Sequence, residues 1–111
     1  MAWLVSDDGV HAHSNHMIAA AETICAAGVA VSVHVFTDGR DVPPSSAVTY
    51  VSDLSARLPS GATIATVSGR FFAMDRDNRW ERVGQAVDAI MFGKGLEAAT
   101  AERAIGSQCA W

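Results

Sequence analysis

Apolar positions along the chain follow two alternating periods. "AWLVS" (2–6) is a short apolar run closed by "DDG", the pattern of a buried strand running into a turn. Met17, Ala21, Ile24 and Cys25 then share one helical face; Ser14 is placed to cap that helix, which runs to about Ala27 with Gly28 as its stop. "VAVSVHVF" (29–36) is rich in β-branched residues and predicts a second strand. Ala47, Val51, Leu54 and Leu58 mark a helix over 45–58, preceded by Pro43 and Pro44 and closed by Pro59. "ATIATV" (62–67) predicts a third strand, ending in "SGR". A third helix starts near Arg79, with Asn78 as cap and Glu81 three residues on, a capping-box spacing. Its apolar stripe is Trp80, Val83, Val87, Ile90 and Met91, and Gly93 ends it. A weaker helix covers 96–105, and "GSQCAW" reads as a frayed tail.

The order βαβαβα predicts an α/β fold, a three-layer sandwich of a mainly parallel sheet with helices on its faces, in one domain over residues 1–111. Composition agrees: half the residues are hydrophobic and 18% are charged, which excludes a disordered chain. A net charge of -4 argues against broad nucleic-acid or membrane-surface binding. The N-terminus is no signal peptide, and no apolar run is long enough to span a bilayer. Cys25 reads as a small core residue, and with Cys109 it fits no metal or redox spacing, so a reducing, cytoplasmic setting is expected. No G-x-G-x-x-G or Walker loop supports a nucleotide site.

Charge patterning directs attention to one edge. Four of the seven arginines lie within residues 70–82, interleaved with Asp75, Asp77 and Glu81. In open parallel sheets ligands bind outside the carboxyl ends of the strands. The three loops there are "SDDGVHAH", "TDGRD" and "SGRFFAMDRDNR", so His11, Arg40, Asp41, Arg70 and Arg76 can converge although far apart in sequence. Arginine forks match phosphate or carboxylate bidentately, which suits a small, multiply charged anion.

Plainer readings stand beside this one. Arg79 and Arg82 read as solvated helix-surface residues, and Arg76 equally as a surface ion pair between two aspartates. Arg70 sits where a turn is expected in any case. His11, His13 and His16 suggest zinc, but no fourth ligand is evident, and the histidines read better as lying over a helix start or packed in it. His34 reads as structural, Asp38 as the residue of an Asx-turn, and Asp41 as a group able to handle a proton.

"VSDDGVHAH", "FTDGRDVPPSSA" and above all "SGRFFAMDRDNRWERV" closely resemble the cofactor-independent (2,3-bisphosphoglycerate-independent) phosphoglycerate mutases, in order over residues 3 to about 96. The resemblance implies a parent several times longer, with a serine nucleophile and two manganese ions in a metal-binding domain, and an inserted phosphotransferase domain that grips the glycerate. This chain resembles the first half or so of that inserted domain. The implied reaction interconverts 3-phosphoglycerate and 2-phosphoglycerate in glycolysis and gluconeogenesis, through a phosphoserine. Carried over by motif, His11, Arg40, Arg70 and Arg76 bind substrate, and Asp41 binds it and shuttles a proton. No metal is expected on this chain, which lacks the nucleophile and metal ligands and is expected to be inactive alone. The alternative is a stand-alone module binding a small phosphorylated acid, or phosphate or sulfate. A half-domain should also expose surfaces that favour a homo-oligomer. One departure is Asp8, which stands where the family usually has the first glycine of "SDGGVH"; a turn often accepts Asp at positive φ, so a small adjustment is expected, with the added negative charge weakening anion binding.

Overall fold

The computed structural model describes residues 1–39 and 46–108. Strands β1 (Ala2–Val5), β2 (Val31–Thr37) and β3 (Ala62–Gly69) form one sheet in the order β1-β2-β3, every pair parallel. Helices α1 (Ser14–Ala26) and α2 (Ala47–Arg57) connect them, and three more follow: α3 (Arg70–Ala73), α4 (Trp80–Phe92) and α5 (Ala101–Gln108). The expected α/β class with a parallel sheet is what the chain forms. No helix among the described residues is long and apolar enough to cross a membrane.

The core follows from strand alternation. Val31, Val33 and Val35 point to one face of β2 and are buried, together with Val5 of β1 and Ala62 of β3. Met17, Ile18 and Ala21 of α1 and Val51 and Leu54 of α2 close over that face, and Ile105 of α5 packs against it. Full burial of such side chains stabilises by about 1.5–3 kcal/mol each. The opposite face carries Ser32, His34 and Phe36 and is only partly covered. An irregularity between Val33 and His34 shifts the β2–β3 register, pairing His34 with Thr66, and the His34 ring Nδ1 lies 3.0 Å from the Thr66 hydroxyl. Burial, then the N-terminal ammonium, holds the His34 imidazole below its ordinary value.

Several boundaries differ from the sequence reading, each for a local reason. The cap of α1 is His13, whose Nδ1 accepts the Asn15 N–H at 3.1 Å. Ser14 lies inside the helix, and both its N–H (2.8 Å) and its hydroxyl (2.9 Å) donate to the Ser6 carbonyl. This fastens α1 to the end of β1. Ile24, expected on the inner face, is 37% exposed, and Ile18 takes its place. The segment after β3, read as a loop, contains the single helical turn α3. The last helix covers 101–108 rather than 96–105, so part of the expected tail is helical, while Cys109 lies outside the described residues.

The start of α4 is also built differently. Asn78 is the only described non-glycine residue with a left-handed backbone (φ 55°), so it cannot cap the helix, and Arg79 occupies the cap position. The Asp75 carboxylate reaches forward to accept the Arg79 N–H at 2.8 Å. A short carboxylate four residues upstream thus does what the capping box was expected to do.

Candidate anion-binding cleft

Three loops follow the carboxyl ends of the three strands, and each is fastened in its own way. In the first, Ser6 is fully buried and its hydroxyl donates to the Asp8 carboxylate, which also accepts the Val10 N–H at 3.0 Å. The Ser6 bond, more than any other cause, holds Asp8 below the ordinary carboxylate value, against opposition from burial and from the nearby Asp38 charge. The turn accommodates Asp8 without a positive φ there. The left-handed residue of this turn is Gly9 (φ 73°), and Asp8 adopts ordinary backbone while its side chain closes the turn. His11 is exposed and does not line the cleft described below.

The second loop begins with Asp38, whose side chain is only 1% exposed. One of its oxygens accepts the Gly39 N–H at 2.8 Å and Arg70 Nη1 at 2.9 Å. Asp38 therefore does more than shape a turn: it fixes an arginine carried by the next loop. Arg40 and Asp41 lie outside the described residues. Helix α2, which follows them in the chain, is tied to the first loop where the Tyr50 hydroxyl donates to Asp7 at 2.5 Å. That bond pushes the Tyr50 phenol above its ordinary value.

The third loop supplies the arginines. Gly69 is buried at the end of β3, and Arg70 starts α3 immediately after it, its side chain 12% exposed against Asp38. Arg76 is exposed in the turn between α3 and α4. Arg79 is exposed too and pairs with Glu81 at 2.5 Å, as a helix-surface arginine should. Arg82 does not fit that description. Its side chain is 19% exposed, and its Nη1 reaches Asp75 at 3.0 Å and Asp77 at 3.3 Å. Its guanidinium carbon lies 4.0 Å from the centre of the Phe71 ring, a cation–π stack. Sequence reasoning missed this role, although the spacing of Arg82 from the two aspartates was the available signal.

Arg70, Arg76 and Arg82 line one cleft of about 440 Å³, together with Asp38, Asp75 and Asp77. Of the three expected site residues that are described, the structure brings two, Arg70 and Arg76, into one cleft and adds Arg82. Among the described lining residues three arginines face three aspartates, so their charges balance. From these residues, attraction for an anion comes from directed guanidinium N–H groups more than from net charge. Arg76 is the lining arginine that forms no ion pair with a described residue. Among the described residues no group of three or more His, Cys, Asp or Glu is arranged to hold a metal ion. The His13 and His16 rings lie 5.8 Å apart between centres, tilted by 45°, and the His13 Nδ1 is occupied as a helix cap.

The family model for the BPG-independent phosphoglycerate mutase (PGAM) N-terminus matches residues 1–110. The chain belongs to this family. The 2,3-bisphosphoglycerate-independent phosphoglycerate mutase of Ruegeria pomeroyi is 59% identical over 102 residues, which are 92% of this chain and 20% of that protein. The Cereibacter sphaeroides (strain ATCC 17025) protein of the same name is 53% identical over 107 residues, 96% of this chain and 21% of that protein. A crystal structure of Leishmania mexicana phosphoglycerate mutase, determined at low cobalt concentration, superposes with a TM-score of 0.88 at 34% identity, covering 96% of this chain and 21% of that one. This chain therefore spans about a fifth of the length of the phosphoglycerate mutases it matches.

Proposed function

We propose that this chain is the substrate-orienting part of a cytoplasmic phosphoglycerate mutase that interconverts 3-phosphoglycerate and 2-phosphoglycerate. The observation that carries this reading is the cleft lined by both Arg70, held by the buried Asp38, and the exposed Arg76. Two guanidinium forks at the carboxyl edge of a parallel sheet suit a ligand with a phosphate and a carboxylate. By motif, Arg40 and Asp41 join these arginines, with Asp41 as the proton shuttle between the glycerate hydroxyls, and His11 reaches the substrate from the first loop, outside the lining of this cleft.

Phosphoryl transfer needs a nucleophile in line and positive charge on the transferred oxygens, a role that paired metal ions fill well. The serine and the manganese ions belong to the remaining four-fifths of the parent, and the chain alone only holds substrate. Holding ground state and transition state alike gives no acceleration.

The test is a calorimetric titration of the chain with 3-phosphoglycerate, run beside a mutase assay with added manganese. Weak binding that Arg70→Ala removes and Arg79→Ala leaves intact is the expected result, with no turnover. Equal losses from the two substitutions would make the cleft a diffuse field. A manganese-dependent rate abolished by Asp41→Asn would overturn the division of labour.

A further inference from the structure

We propose that Asp75 and Arg82 are positioning residues that present Arg76 to the bound anion. The proposal rests on the reading of the cleft as an anion site, and it names what holds in place the lining arginine that pairs with no described carboxylate. Arg76 has an aspartate on either side, and both aspartates turn to the same guanidinium. Arg82 Nη1 lies 3.0 Å from Asp75 Oδ1 and 3.3 Å from Asp77 Oδ2. The other oxygen of Asp75 accepts the Arg79 N–H at 2.8 Å, and the left-handed Asn78 folds the chain back toward that bond. The Asp75 side chain is 2% exposed, so its charge depends on these partners. Arg82 is fixed in turn against Phe71 of α3. The residues flanking Arg76 are thus pinned from one side by α4, and α4 is pinned to α3. Arg82 engages two carboxylates, while Arg76 is exposed and lines the cleft.

This arrangement predicts an effect opposite in sign to simple electrostatics. Removing a negative charge from an anion cleft should strengthen anion binding, and it should do so most clearly if Arg82 touched the ligand itself. A positioning role requires the reverse. Asp75→Asn keeps an oxygen that can accept the Arg79 N–H but loses an acceptor for Arg82, and Arg82→Lys keeps the charge but loses the planar fork.

The test titrates the full chain and its variants with inorganic phosphate and, separately, with 3-phosphoglycerate, following the Arg76 Nε–Hε signal by NMR. Asp75→Asn and Arg82→Lys should each weaken binding about tenfold, and the double variant no more than either alone, as groups of one network behave. In the ligand-free variants the Arg76 signal should gain mobility while unfolding stays cooperative. If a variant fails to fold, Asp77→Ala, which releases only the longer bond of an exposed carboxylate, should still weaken binding, by about twofold. Unchanged or tighter binding by Asp75→Asn or Asp77→Ala, while Arg76→Ala still abolishes it, would overturn the positioning role and leave the anion site standing. Absence of binding by the unsubstituted chain would overturn the site and this inference together.

Discussion

In α2 the stripe residues Val51 and Leu54 are wholly out of water, whereas in α4 Trp80, Val87 and Met91 are 74%, 46% and 66% exposed. Both helices have the same kind of amphipathic spacing, and only Ala86 of α4 is buried. The difference lies in the neighbours. α2 is enclosed by β1, α1 and α5, while the main neighbours of α4 are α3 and β3. An apolar stripe states that a helix has a side to bury; it does not state that the cover belongs to the same stretch of chain. Here α4 is committed on its polar side, where Arg82 closes the cleft, and uncommitted on much of its apolar side.

The largest expected effect separates the two helices directly. Leu54→Ala should cost about 2–5 kcal/mol, because it opens a cavity in a closed core. Met91→Ala should change stability by less than about 0.5 kcal/mol. Chemical denaturation of both variants measures the contrast, and comparable losses would mean that α4 is covered after all.

Self-association should come next. Trp80, Met91, Phe92 and Leu96 are all more than half exposed, and apolar surface of this kind drives pairing. We expect sedimentation to show a concentration-dependent dimer or larger species, weakened by a Trp80→Ser, Met91→Ser double substitution. A chain that stays monomeric at millimolar concentration would show the exposed stripe to be inert.

A smaller effect belongs to the closed part of the fold, where carboxylates set the acid limit. Asp8 titrates below its ordinary value of 3.8, held down first by the Ser6 hydroxyl. The unfolded chain therefore takes up that proton first, and the contribution, complete above about pH 3.8, is lost as pH falls through the folded value. Asp8→Gly should flatten this acid limb in thermal melts at stepped pH, and an unchanged limb would remove Asp8 from the account.

The smallest effect concerns His34 on the half-covered face. Its folded value lies below the unfolded 6.5, so folding disfavours the protonated ring, and stability should decline as pH drops below about 6.5. His34→Gln should lack this slope in the same melts. A slope that persisted would belong to another group.

The parallel sheet was legible because β-branched alternation and helical spacing are local signals, and the valines of β2 show it most clearly. Arg70 was legible as a strand-end residue followed by a phosphate-matching motif. Arg82 was not. Its placement on a helix predicted solvent, and only the fold of the 74–79 turn brings Asp75 and Asp77 onto it. Asp38 was read as a turn former because its partner, Arg70, lies 32 residues away.

The sequence by itself determined the order of strands and helices, the loops that meet at one sheet edge, and the membership of a phosphoglycerate mutase family. These depend on near-neighbour periodicity and on motifs that survive without coordinates. Only the tertiary structure decided which arginines are held and which are exposed, which helix face is covered, and that Gly9, not Asp8, takes the left-handed turn. Those outcomes depend on distances between residues remote in sequence and on backbone angles that a side-chain pattern does not encode.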